Sequence, residues 1–233
     1  SAMTRTPGYH DMARVPDRQF REDSTSYLRT AYLLDRFGLD IALYRREIRK
    51  LQPRLDAHLV ERGVDQRMAF HRYYRHFGLA EPFPLDAAFR SGVIAERRGA
   101  AWFRARPRDL YRLTHEIFVP YEFGAALESD FFSDADKAYL RPLLADVTAW
   151  SLRRGDSDIA AELTSCLRYL GFTGEPVYMK ALEFLLAGQR PEGCWGDYEA
   201  LRPYYGDFIN SGFYLHTTLV ALDALVSAFH TRP

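Results

Sequence analysis

Leu34-Asp35-Arg36-Phe37-Gly38-Leu39 recurs as Tyr74-Arg75-His76-Phe77-Gly78-Leu79 and as Leu167-Arg168-Tyr169-Leu170-Gly171-Phe172, with a looser echo at Phe123-Gly124-Ala125. Each copy closes a stretch of helical periodicity and sets Gly just past the last turn. There a left-handed backbone stops a helix, and the next apolar residue folds back on it. The four glycines lie 40, 46 and 47 residues apart, the length of two helices with their two turns. Such a hairpin can bury its apolar face only against its neighbours. The reading is therefore an all-α chain of repeated α/α hairpins, stacked or closing toward a ring. A chance coincidence of common helix ends is the alternative.

Outward from these stops, apolar residues spaced three and four apart predict helices over Ser24–Phe37 and Ile41–Glu61, with Pro53 as a candidate kink. The same spacing predicts Met68–Phe77, Leu85–Val93, Asp109–Phe123, Asp134–Leu152, Asp158–Leu170, Val177–Leu186 and Gly212–Phe229. No segment alternates as a strand would. Residues 1–22 are polar, with Pro7, Gly8 and Pro16, and read as a flexible N-terminal arm in which Ser1-Ala2 looks like a tag scar. Residues 23–233 then form a single helical-hairpin repeat domain.

Of the 233 residues, 47% are hydrophobic, which excludes a disordered chain. Lys and Arg total 31, as do Asp and Glu, so the basic excess of a nucleic-acid binder is missing. Arg97, Arg98, Arg104, Arg106 and Arg108 do cluster around Trp102 and Phe103. They read as a solvated connection between helices, with an anion or partner patch as the alternative. No uninterrupted apolar run is long enough to span a bilayer, so no membrane partner is expected. Two cysteines form no disulfide framework, and the expected location is cytoplasmic. Cys166, mid-helix among apolar residues, reads as inert core, and Cys194, in a turn, as the more reactive thiol.

Gln189-Arg190-Pro191-Glu192-Gly193-Cys194-Trp195 fits Gln-x-x-x-Gly-x-Trp, and Tyr214-Leu215-His216-Thr217-Thr218-Leu219 opens the next helix. This resembles the joint between hairpins in the α/α-toroid superfamily of terpenoid cyclases and protein prenyltransferases. In that superfamily the Gln ties to the start of the next helix and the Trp packs over it. The resemblance covers roughly Leu182–Leu225 and implies an incomplete α/α toroid. The segment Leu113-Thr114-His115-Glu116-Ile117-Phe118 also looks like one in bacterial toroid-like proteins, some near natural-product genes. The family's chemistry does not carry over. Asp134-Ala135-Asp136-Lys137 and Asp156-Ser157-Asp158-Ile159 lack the closing Asp of Asp-x-Asp-Asp, and there is no Asp-Asp-x-x-Asp or Asp-x-Cys.

P-loops, dinucleotide fingerprints, nucleophile elbows and His-Glu-x-x-His are absent. Two histidines stand at the edges of apolar stripes: His115 beside Tyr111 and Glu122, and His216 beside Leu215, Leu219, Leu222, Val226 and Asp223. Such a boundary can face a cleft, where imidazole serves acid–base work; a packed ring bonded to a backbone carbonyl is the alternative. The expected catalytic set is His115, His216, Asp207 and Glu122. Tyr111, Trp195, Tyr204, Tyr205 and Tyr214 are expected to line the substrate, aromatics that a hairpin joint also needs for packing. Neither a metal site nor a cofactor is expected. The functional expectation is a natural-product enzyme performing acid–base cyclisation or tailoring on a small apolar or peptide substrate. The alternative is a non-catalytic helical-repeat scaffold for a partner protein or carrier-bound intermediate.

Overall fold

A computed structural model describes residues 11–82, 84–126 and 129–229, and among them there are helices and turns but no strand. The chain divides into two compact units, Ser1–Gly92 and Val93–Pro233, where the sequence reading has one run of hairpins over 23–233.

The first unit holds α1 (Asp17–Arg36), α2 (Ala42–Leu59), α3 (Val64–Phe77) and the short α4 (Leu85–Phe89). Its core joins Phe20, Tyr27, Leu28 and Ala31 of α1 to Tyr44, Ile48, Leu51 and Leu55 of α2, and to Phe70, Tyr74 and Phe77 of α3. α2 runs through Pro53. The expected N-terminal arm needs correction. Residues 1–10 lie outside the described residues, but α1 already begins at Asp17, and Met12 and Phe20 are buried. The cause is Arg54 of α2, whose guanidinium donates to the carbonyls of Met12 (3.0 Å) and Val15 (2.6 Å) and to the Asp17 carboxylate (2.7 Å). Five donors in a fixed fork suit Arg to a turn rich in unpaired carbonyls.

The second unit is built around α8 (Ser157–Tyr169), in which every residue except Arg168 is buried. A helix sealed on all sides must be surrounded. Here α6 (Pro107–Phe118), α7 (Asp134–Arg154), α9 (Pro176–Ala187) and α11 (Leu215–Phe229) all pack on it. The short α5 (Ala100–Ala105) and α10 (Arg202–Tyr205), and a π-helical turn at Ile209–Tyr214, escape the sequence reading. Buried Glu116 closes the entry to the unit by accepting from the N–H groups of Val93 (2.9 Å) and Ile94 (3.1 Å).

The recurring helix stop is present. At Gly78 and Gly171 φ is +66° and +77°. Leu79 N–H reaches back to the Tyr74 carbonyl (2.9 Å), and Phe172 N–H to that of Leu167 (2.7 Å). Both apolar followers are buried, as the capping motif requires. Gly38 repeats the bonds, but Leu39 after it is exposed.

A Cβ at Gly78 would meet open space, so only the left-handed backbone opposes a side chain there. Gly78→Ala is expected to cost about 1 kcal/mol, read as a lower urea midpoint at unchanged m. An unshifted midpoint would remove the left-handed stop.

Candidate active site

α8 carries two acids four residues apart, Asp158 and Glu162, on one face. Both are buried. Buried carboxylates demand donors, and two neighbouring helices supply them. From α6, Thr114 donates to Glu162 Oε2 (2.5 Å) and the Tyr111 hydroxyl donates to Asp158 Oδ2. From α11, Thr217 donates to Asp158 Oδ1 (2.8 Å). Thr217 spends its one hydrogen there, so the Tyr198 hydroxyl, 2.6 Å from Thr217 Oγ1, must be the donor in that contact. The chain runs Tyr198 to Thr217 to Asp158.

Each donor threonine sits beside a histidine, as Thr114-His115 on α6 and His216-Thr217 on α11. Docking the threonines therefore brings both imidazoles to the acids. His115 Nδ1 lies 2.8 Å from the Tyr111 carbonyl and 3.9 Å from Glu162 Oε2. Both are acceptors, so Nδ1 carries the proton and Nε2 presents its lone pair. His216 Nε2 faces Asp158 Oδ1 and Glu162 Oε1 at 3.5 Å each, so there Nε2 carries a proton. Each ring thus holds one N–H toward the buried carboxylates, the logic of a carboxylate-oriented catalytic imidazole. The His115 side chain is 36% exposed and that of His216 49%, against 1% for Glu162. The imidazoles, rather than the acids, meet whatever enters.

The surroundings are aromatic and low in polarity. Phe118 and Phe123 flank the His115 ring, with centroids at 5.7 and 6.5 Å. Phe123 is placed by a turn in which Glu122 and Phe123 take φ of 49° and 55°, a left-handed conformation that costs side-chain-bearing residues energy. Burial, then the Asp158 charge, pushes the Tyr111 hydroxyl far above its ordinary pKa, so Tyr111 stays a donor. Tyr198 is pushed up to about 12, again chiefly by burial. Burial also raises Asp156, which caps α8 by accepting from Ile159 N–H (3.3 Å).

Of the residues expected from sequence, the structure brings His115, His216 and Tyr111 together. Asp207 does not join them: its side chain is 97% exposed and pairs with Arg202. Glu122 is exposed on the strained turn and makes none of the cluster's hydrogen bonds. Trp195 packs as a joint, its indole N–H on the Leu185 carbonyl (2.6 Å). Gln189 stays in its own turn, donating to the Gly193 carbonyl. Tyr204 and Tyr205 are exposed, and the Tyr214 hydroxyl ties Arg190, Glu199 and the Tyr198 N–H. Buried Cys166 donates weakly to the Thr114 carbonyl (3.9 Å), and burial pushes its thiol well up, which keeps it inert. Among the described residues no group of three or more His, Cys, Asp or Glu side chains is arranged to hold a metal ion.

The sequence reading missed Asp158, Glu162, Thr114 and Thr217. The available signal was the pairing of two acids at i, i+4 in an apolar helix with two His-Thr neighbours elsewhere. Part of the Arg cluster is paired: Arg97 bonds Asp136 and the Ala135 carbonyl, Arg104 pairs with Asp146 (2.5 Å), and Arg98 and Arg106 stack on Trp102.

The chain belongs to the family described as a domain of unknown function, DUF6895, whose family model matches residues 11–225. No curated protein and no solved structure matches it.

Thr114→Val leaves the buried Glu162 carboxylate short of a donor and is expected to cost about 2 kcal/mol in chemical denaturation. Thr148→Val supplies the contrast. Its buried hydroxyl has no hydrogen-bond partner, so the change is expected to be neutral or stabilising. Equal effects at both sites would contradict the assigned donor role.

Proposed function

We propose that the Val93–Pro233 unit is an acid–base enzyme acting on a small apolar or peptide substrate. The carrying observation is the convergence of His115 and His216 on Asp158 and Glu162. His115 Nε2, its tautomer held by the Tyr111 carbonyl, takes a proton from the substrate. His216, acting as the imidazolium beside two carboxylates, delivers one at a second position. The net result is proton relocation, as a cyclisation or tailoring step requires, and the substrate supplies every bond that changes. Phe118 and Phe123 beside His115 favour an apolar body next to the reacting atom. The resemblance to α/α toroids bears on fold alone and lends no reaction type.

The test is turnover of a panel of small apolar and peptide compounds by the full chain. His115→Ala and His216→Ala are each expected to lower the rate about 10²–10⁴-fold. Arg104→Ala, which breaks an exposed ion pair, should leave it unchanged. Turnover that survives the double histidine replacement would sink the proposal.

A second reading, a non-catalytic binding module, rests on one observation. Leu215, Leu219, Leu222, Val226 and Phe229 of α11 are 42–59% exposed, and their alternating four- and three-residue spacing is that of a helix–helix seam. Ile209–Phe229 is also long and apolar enough by length and composition to cross a membrane, although Thr217, Ala221, Ala224 and Leu225 are buried. In the binding reading, a complex seen by size-exclusion chromatography is lost in Leu219→Glu/Val226→Glu and kept in His115→Ala/His216→Ala. The opposite pattern would restore catalysis as the unit's sole role.

A further inference from the structure

Between α7 and the start of α9 lies a trough of about 450 Å³, within the size range of small-molecule sites. No residue of the His115/His216 cluster lines it. Ala145, Ala149 and Leu152 share one face of α7 at i, i+4 and i+7, and Val177 of α9 stands among the opposite lining residues. Alanine at two of the three α7 positions leaves space that a longer side chain would fill. The trough is therefore apolar and open.

Its charged lining is one-sided. Arg153 and Lys180 both line it, and neither side chain enters an ion pair or hydrogen bond among the described residues. The single acid, Glu175, is engaged with Arg141 at 3.4 Å, and Arg141 is anchored over the Phe172 ring. That pairing cancels the Glu175 charge and leaves two positive charges over an apolar surface. The first turn of α9, which begins at Pro176, adds the positive end of its helix dipole. Elsewhere in this unit the arginines largely pair: Arg97 with Asp136, Arg104 with Asp146, Arg112 with Asp109 and Arg202 with Glu199.

We propose that this trough binds an amphiphilic carboxylate, its apolar body on Ala145, Ala149, Leu152 and Val177 and its head held by Arg153 and Lys180. The apolar body supplies burial and the two cations supply selection for the anion. The proposal is independent of the catalytic reading.

Isothermal titration of the full chain with sub-micellar decanoate, alongside decanol and decylamine, tests it. Decanoate is expected to bind, decylamine is not, and decanol is expected to bind at least tenfold more weakly than decanoate. Arg153→Gln/Lys180→Gln should weaken decanoate at least tenfold, and Ala149→Phe should abolish binding by filling the trough. Leu219→Ser, on the exposed face of α11, should change nothing. The substituted α7 and α9 side chains lie at the surface or half-buried, and an unchanged melting curve confirms that each variant folds. Absence of decanoate binding, equal binding by the Arg153/Lys180 variant, or sensitivity to Leu219→Ser alone would overturn the proposal.

Discussion

Two carboxylates buried in the first two turns of α8 constrain everything around them. An unpaired carboxylate in a protein interior is costly enough that the fold must bring donors to it. Asp158 and Glu162 obtain theirs from Tyr111 and Thr114 on α6 and from Thr217 on α11. Satisfying them fixes the rotation of both helices about their own axes, because a turn of one residue would carry the hydroxyl away. The apolar contacts of Leu110, Leu113, Ile117, Ala221 and Ala224, all buried, are compatible with that rotation but do not define it as sharply. Directional bonds specify what oily surfaces leave loose.

The histidines gain their positions from the same bonds. Because His115 follows Thr114 and His216 precedes Thr217, each imidazole is offset to the rim of the buried network. A fully buried ring would have no route to a substrate, and a fully exposed one would have no fixed tautomer. The 36% and 49% exposures lie between these limits. The strained Glu122–Phe123 turn beside His115 fits the tendency of backbone strain to collect at functional sites. The π-helical turn at Ile209–Tyr214, immediately before His216, is a second local irregularity of that sort.

Outside this network the second unit shows two unfinished surfaces of different character. α11 turns a leucine-rich face outward and buries a small-residue face against α8. The α7/α9 trough is lined by alanines and overhung by cations. One is a leucine-rich helix face, the other a trough lined by Arg153 and Lys180, so their complements differ in chemistry.

The sequence by itself determined the longer helices and some of their stops. The Gly78 and Gly171 ends depend on the backbone freedom of one residue and on an apolar follower, all within six positions of chain. It also pointed to His115 and His216, since an imidazole at the border of an apolar stripe is visible in local spacing. It did not reveal Asp158 and Glu162 as the floor of the site, because an acid in an apolar helix looks the same whether it faces water or two hydroxyls from helices about 50 residues away. Nor did it tell which face of α11 is inside. The stripe Leu215, Leu219, Leu222 and Val226 has the better apolar pattern, yet Thr217, Ala221 and Ala224 are the ones buried. Periodicity records that a helix has an apolar face; only the tertiary structure, through the small side chains that let α11 approach α8 and the hydroxyl that Asp158 requires, decides which face is used.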